Sequence, residues 1–164
     1  MYFYLMNKVY LSLGTNMGNR EQHLKDAMIE IDKKLGIITN QSSVIETTPW
    51  GVENQENYLN QVICIQTELA PLPLLQVIHQ IEKGLGRIRK QKWEARIIDI
   101  DIIFYNDEII EEQSLTIPHP LMHIRQFVLE PLDEIAPGYI HPRLQKTITE
   151  LLQNLPDEES DHIR

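Results

Sequence analysis

The order of strand and helix patterns along the chain restricts its fold more than any other sequence feature. β-Branched and aromatic residues predict strands over 8–14, 37–48, 58–69 and 97–105. Apolar residues at intervals of three and four predict one helix between Asn19 and Gly36 and another over Pro73–Lys83. The resulting order, β-α-β-β-α-β, is that of the ferredoxin-like split βαβ arrangement.

The C-terminal third adds smaller elements to this core. Asn106 and Asp107 predict a turn, followed by a short strand over 108–111 and helices over 126–135 and 147–155. We therefore predict an α/β (α+β) fold with a ferredoxin-like βαββαβ core, an extra short strand and C-terminal helices. A single domain is expected over 1–164, with a leader at 1–7 and a frayed tail at 156–164.

Composition excludes several classes of function. The net charge of −9 argues against non-specific binding to nucleic acid. No apolar run approaches the roughly 20 residues that span a bilayer, so no membrane partner is expected. The single cysteine, Cys64, lies in the apolar segment VICIQ, where we interpret it as a buried hydrophobe. One cysteine cannot form an intramolecular disulfide and suits the reducing cytoplasm.

A basic segment interrupts this acidic chain. Between Lys83 and Arg96 there are six basic residues and one acid, Glu94, which gives a local charge of +5. Such segments are usually solvated surface, but this one lies between Gly84-Leu85-Gly86 and a predicted buried strand. A basic loop in this position favours a small polyanionic ligand. Arg87, Arg89 and Arg96 offer planar forks that bind phosphate oxygens bidentately.

Two carboxylates follow the basic segment directly. Asp99 and Asp101, at i and i+2 of a strand, point to one face, and Ile98, Ile100 and Ile102 fill the other. Like charges on one face repel unless a cation compensates them. Carboxylates together with substrate phosphates are the usual ligands of Mg²⁺, so we predict a magnesium site. The alternative is a solvated strand end paired with Arg96.

Histidine and aromatic residues supply further candidates. His119 lies between two prolines, and we interpret it as a donor to phosphate, since HPLMH lacks the glutamate and cysteine partners of zinc motifs. Four aromatic residues in or beside predicted loops could sandwich a planar ring: Trp50, Tyr58, Trp93 and Phe127. Asn60 has the donor and the acceptor needed to bind the edge of such a ring.

Together these segments resemble the 6-hydroxymethyl-7,8-dihydropterin pyrophosphokinase family of folate biosynthesis. The resemblance covers about Lys8 to Leu155, and it is specific because several motifs occur in order. The segments that carry it are LSLGTNMG, TTPWG with NYLNQV, GRIRKQKWEARIIDIDII, LTIPHP and RQFVLEPLDEIAP. The chain departs from the usual pattern at Glu94, where Gly or Ala is normal, at Trp50 and at Pro120.

The resemblance implies an activity and a set of site residues. It implies transfer of pyrophosphate from ATP to the pterin hydroxymethyl group, with release of AMP and with two Mg²⁺ ions. We separately expect a monomer in the cytoplasm. Metal binding would fall to Asp99 and Asp101, and catalytic contacts with the phosphates to Arg87, Arg89, Arg96, His119 and Arg125. ATP would also meet Glu82, Trp93, Ile102, Leu115 and Thr116. The pterin would meet Thr47, Thr48, Trp50, Tyr58, Asn60 and Phe127.

Two other functions remain compatible with the sequence. A nucleotidyltransferase or phosphodiesterase could use the same Asp-x-Asp face without a pterin. A ferredoxin-like regulatory module that only binds a ligand could have the same element order, although it would leave the paired aspartates and the basic loop unexplained.

Overall fold

The computed structural model describes residues 5–48, 56–86 and 97–156. Five strands form the main sheet: β1 (Asn7–Thr15), β2 (Ile37–Gln41), β3 (Ile45–Thr47), β4 (Tyr58–Thr67) and β5 (Asp99–Tyr105). The strand order is β2-β4-β1-β5, with β3 also paired to β4, and every pairing is antiparallel. The mixed α/β fold is thus confirmed, and the order is βαββαβ when β2 and β3 are counted as the one strand predicted over 37–48.

Helices cover both faces of the sheet. On one side lie α1 (Arg20–Lys34) and α2 (Pro71–Gly84), and on the other lie α3 (Gln126–Ile135) and α4 (Ile148–Gln153). The buried apolar residues form two clusters, one on each side of the sheet. Ile98, Ile100 and Ile102 all belong to the cluster under α1 and α2, as the sequence predicts. Within the described residues, no helix is both long and apolar enough to cross a bilayer.

The predicted strand over 37–48 is two strands in the structure. Ser42 adds side-chain hydrogen bonds to its backbone contact with β4. Its N–H donates to the Val62 carbonyl at 2.9 Å, its hydroxyl accepts from Val62 N at 3.0 Å, and its carbonyl accepts from the Gln61 side chain at 2.8 Å. Ser43 donates through both N and Oγ to Glu134 of α3. Serine side chains that bond to backbone compete with ladder geometry, so the chain bends between β2 and β3.

Smaller corrections concern element ends and one missed strand. The predicted short strand over 108–111 begins later, as β6 (Ile110–Glu111), and pairs with an unpredicted β7 (Thr116–Ile117). The Asn19 side chain accepts from Gln22 N as a cap should, but the Gln22 side chain bonds to Asp26. A reciprocal capping box between Asn19 and Gln22 is therefore only half formed at the start of α1.

Candidate active site

One half of the sheet face that α3 packs against carries the candidate site. Cross-strand register puts Asp99 and Asn60 opposite Gly14, and Asp101 and Val62 opposite Ser12. Since paired residues share a face, both carboxylates lie on the same face as Asn60. Two strand spacings, about 10 Å, separate Asp99 from Asn60. Gly14, which lies between them, has no side chain and is buried.

A β-bulge ends this row of polar residues. The register between β1 and β5 shifts between Tyr10 and Leu11, so that Tyr10 lies opposite Phe104 and Leu11 opposite Ile102. The shift reverses the alternation of β5, and Ile103 and Phe104 join the cluster beneath α3. The strand thus bears carboxylates on this face at its start and core side chains at its end.

A cleft of about 370 Å³ opens beside the two carboxylates. Of the residues predicted to bind ATP or metal, seven line this cleft: Glu82, Asp99, Asp101, Ile102, Leu115, Thr116 and His119. They come from α2, β5, the β6–β7 connection, β7 and the segment after β7. The fold therefore brings together residues that are up to 37 positions apart in the sequence.

Glu82 is almost fully buried, with 3% of its surface exposed. Its Oε2 accepts a hydrogen bond of 3.1 Å from the backbone N of Ile100, between the two aspartates. A buried carboxylate is costly unless it is hydrogen-bonded, and this contact supplies a partner. Glu82 thereby fixes the start of β5 relative to α2.

His119 is held by backbone contacts on both sides. Its backbone N–H donates to the carbonyl of Ile103 at 3.0 Å, and its ring Nδ1 accepts from the backbone N of Leu121 at 3.1 Å. Acceptance at Nδ1 assigns the proton of the neutral ring to Nε2. The imidazole therefore presents an N–H donor as a neutral ring, and it lines the cleft.

Arg125 and Phe127 begin α3. Arg125 is the N-cap of the helix, and its guanidinium carbon lies 5.5 Å from the centroid of the Phe127 ring, a distance typical of cation–π contacts. Phe127 is only 5% exposed and belongs to the cluster beneath α3. Core packing therefore accounts for the position of this ring, because α3 brings it against the sheet.

The residues predicted to bind the pterin form a second group, on β3 and β4. Thr47 lies opposite Tyr58, and the Asn60 amide nitrogen donates to Thr47 Oγ1 at 2.8 Å. Asn60 is fully buried, Tyr58 is partly buried, and Thr48 is exposed just after β3. The Asn60 amide therefore already has one intramolecular contact on the face that carries the aspartates.

Five of the predicted site residues lie outside the described residues: Trp50, Arg87, Arg89, Trp93 and Arg96. Six further residues line the cleft that the sequence did not single out as site residues: Leu75, His79, Ile100, Gln113, Ser114 and Pro120. Leu75, His79 and Glu82 share one face of α2 at helical spacing, and this pattern was visible in the sequence. Gln113 and Ser114 had no such signal, since a two-residue strand pair places them.

The donors in the described region suit a hard cation. Asp99 and Asp101 supply two half-buried carboxylates on one face, and no described group of three His, Cys, Asp or Glu residues is arranged to hold a metal. Zinc usually takes three or four protein ligands, whereas Mg²⁺ uses one or two carboxylates and completes its shell with water and phosphate. The two aspartates therefore fit magnesium with a phosphate ligand.

Comparison with known proteins gives a consistent family. Residues 10–137 match the family model described as 7,8-dihydro-6-hydroxymethylpterin-pyrophosphokinase (HPPK). A 2-amino-4-hydroxy-6-hydroxymethyldihydropteridine pyrophosphokinase of Aquifex aeolicus is 43% identical over 145 residues, covering 88% of this chain and 90% of that protein. One from Bacillus subtilis is 43% identical over 131 residues, covering 79% and 78%.

The fold has a counterpart among solved structures. A Plasmodium falciparum HPPK-DHPS crystal structure superposes with a TM-score of 0.77 at 21% identity, covering 90% of this chain. This chain spans 44% of that longer one. At this identity the likeness is one of fold.

Proposed function

Because this chain belongs to the 7,8-dihydro-6-hydroxymethylpterin-pyrophosphokinase family, we propose that it transfers a pyrophosphoryl group from ATP to the hydroxymethyl group of 6-hydroxymethyl-7,8-dihydropterin. The products are AMP and the pterin diphosphate, an intermediate for folate biosynthesis. The observation that carries the proposal is the cleft in which Asp99, Asp101 and His119 meet. One chain supplies every residue named here, so we expect a monomer to suffice, working in the cytoplasm.

Magnesium is the cofactor that this arrangement favours. Asp99 and Asp101 would hold it, and we expect two ions with ATP. When bound, Mg²⁺ neutralises phosphate charge and orients the phosphates. Three carboxylates, those of Glu82, Asp99 and Asp101, line the cleft. A triphosphate would be repelled by them without cations, so both the metal and the basic segment are needed for binding.

The remaining cleft residues divide by chemistry. Ile102 and Leu115 are 5% and 8% exposed and form apolar walls suited to a nucleoside. Thr116 and Glu82 add polar groups beside them. His119 donates from Nε2 to a phosphate oxygen. Arg125, which is outside the lining of the cleft, adds a fixed positive charge at the start of α3. Positioning and charge neutralisation are most of what phosphoryl transfer requires from protein side chains.

The pterin is placed at β3 and β4. Thr47, Thr48 and Asn60 would bind its edge, and Tyr58 and Phe127 would flank its rings. This group lies across Gly14 from Asp99 on the same face of the sheet. We expect the hydroxymethyl group of a bound pterin to face the phosphates held in the cleft.

Five proposed residues lie outside the described part of the chain. Arg87, Arg89 and Arg96 would bind the phosphates, and Trp50 and Trp93 would contact the pterin and ATP respectively. The segment 87–96 connects two described stretches, α2 and the start of β5, that both line the cleft. This connection supports a basic loop beside the phosphates.

The proposal is tested by product analysis. The protein is incubated with ATP, Mg²⁺ and the pterin, and the nucleotides are separated by chromatography. We expect AMP in amounts equal to the pterin diphosphate, no product with EDTA, and restoration by Mg²⁺ but not by Zn²⁺. Formation of ADP, or turnover that survives EDTA, would contradict the proposal.

A further inference from the structure

Arg20 makes three contacts that no step above uses. It is the first residue of α1, and 25% of its side chain is exposed. Nη1 donates to Glu46 Oε1 at 3.0 Å and to the backbone carbonyl of Asn57 at 2.6 Å. Nε lies 3.9 Å from Glu56 Oε2. The guanidinium thus joins β3 to the segment that leads into β4.

The position of these contacts gives them their importance. Thr47 and Tyr58 form the final pair of the β3–β4 ladder. Glu46 directly precedes the first of them, and Asn57 directly precedes the second. The β3 strand has only three residues, so few backbone hydrogen bonds hold it. Arg20 Nη1 bonds to Glu46 within the ladder and to Asn57 just beyond its last pair, so one guanidinium links the two strands where Thr47 and Tyr58 lie.

Arg20 contacts the β3–β4 ladder on the sheet face opposite the candidate site. Alternation along β3 puts Glu46 on the opposite face from Thr47. Glu46 pairs with Leu59, a member of the core cluster under α1 and α2. The contact therefore leaves the site face open and acts through the backbone of the two strands.

Helix electrostatics disfavour arginine at this position. The positive end of the helix dipole repels a cation in the first turn, where acidic residues are preferred. An arginine there needs compensation, and Glu46, Glu56 and the Asn57 carbonyl supply it. Local preference and tertiary contact conflict, which is common where a residue serves a functional site.

From this geometry we infer that Arg20 is a positioning residue for the pterin side of the site: it holds Thr47 and Tyr58 in register without touching the substrate. The inference rests on the proposed function, which places the pterin on β3 and β4. It requires that loss of Arg20 weaken pterin binding while the ATP cleft, built from α2, β5 and the β6–β7 connection, is unaffected.

The test compares Arg20→Met with Lys34→Met. Lys34 forms an ion pair of 2.9 Å with Glu30 at the far end of the same helix, so its loss is a matched control. Pterin affinity is measured by fluorescence titration with a non-hydrolysable ATP analogue present, and analogue affinity is measured separately. We expect Arg20→Met to weaken pterin binding at least fivefold and to change analogue binding less than twofold, with neither changed by Lys34→Met.

A double-mutant cycle isolates the contact. Glu46→Gln is expected to weaken pterin binding less than Arg20→Met, and to add little when Arg20→Met is already present. Arg20→Lys, which keeps the charge but loses the fork, should be intermediate and serves if Arg20→Met does not fold. Unchanged pterin affinity, or an equal loss for pterin and analogue, would overturn the inference.

Amide hydrogen exchange separates this inference from the proposed function. Without ligand, Arg20→Met should increase exchange at least tenfold in Ile45–Thr47 and leave β5 unchanged. If the wild-type protein binds no pterin, the proposed function fails, and the exchange result still decides whether Arg20 holds the ladder. Unchanged exchange in β3 would overturn the positioning role by itself.

Discussion

The carboxylates of Asp99 and Asp101 are the residues on which the site depends most. Both are half-buried at the start of β5, and neither belongs to an apolar cluster. Asp99→Ala and Asp101→Ala should each lower turnover by about 10²-fold or more, since a preorganised charge contact is lost. Thermal unfolding should change little. Steady-state assays, with exposed Glu68→Gln at the far end of the sheet as control, check this.

The outcome of that comparison is decisive for metal placement. If both alanine variants keep near-normal turnover, the aspartates do not hold the metal. If the loss appears but excess Mg²⁺ restores it, the carboxylates act through metal affinity, as the account requires.

His141 has a role in stability that depends on pH. It is buried, and its Nδ1 accepts from the backbone N of Arg143 at 3.1 Å and of Leu144 at 3.0 Å. Burial lowers its pKa from 6.5 to about 4, with nearby His123 and Arg143 adding to the effect. The unfolded chain therefore binds this proton near pH 6.5, whereas the folded chain binds it only near pH 4.

The free energy of unfolding should accordingly fall as the pH drops from 6.5 toward 4, by on the order of 2 kcal/mol from this group. His141→Asn keeps an acceptor for the two amides and does not titrate. The difference between wild type and variant in urea unfolding at pH 7 and at pH 4.5 isolates the contribution. A difference that is independent of pH would show that His141 is not the titrating group.

From the sequence, the chemistry of the site was easier to predict than the full set of residues that line it. The Asp-x-Asp spacing correctly placed both carboxylates on one face and the isoleucines on the other, because period-two alternation holds along the start of β5. His79 and Gln113 were missed, since their approach to the cleft depends on how α2 and the β6–β7 pair pack. The roles assigned to individual residues remain predictions.

Among the connections between elements, the one from α1 to β2 leaves the least space for a side chain. A Cβ on Gly36 would lie 2.0 Å from the carbonyl oxygen of Gln66, the residue that Ile37 pairs with. Gly36→Ala should therefore lower the free energy of unfolding by about 3 kcal/mol, because the added Cβ clashes with the backbone carbonyl of Gln66. Gly138→Ala, where a Cβ meets nothing within 4 Å, is the matched control.

Urea unfolding of both glycine variants measures this effect. Gly138→Ala should lie within about 0.5 kcal/mol of wild type. Equal stability of the two variants would mean that the α1–β2 connection moves aside readily, contrary to the tight packing of β2 on β4.

Helices were easier to predict than short strands, for a physical reason. The apolar residues of α1 and α2 recur at helical spacing over several turns, so the apolar faces of these helices are evident in the sequence. The β2–β3 bend depends on side-chain hydrogen bonds of Ser42 and Ser43, and β7 has only two residues. Such features arise from tertiary contacts and leave no periodic pattern.

For the whole molecule, the central claim is that the β- and γ-phosphates of ATP move together to the pterin. ATP labelled at the β-phosphorus distinguishes this reaction from its alternatives in one assay with Mg²⁺ and the pterin. We expect β-label in the pterin product, whereas α-label from a parallel reaction should stay in AMP. β-Label retained in a nucleotide, or α-label transferred to the pterin, would contradict pyrophosphoryl transfer.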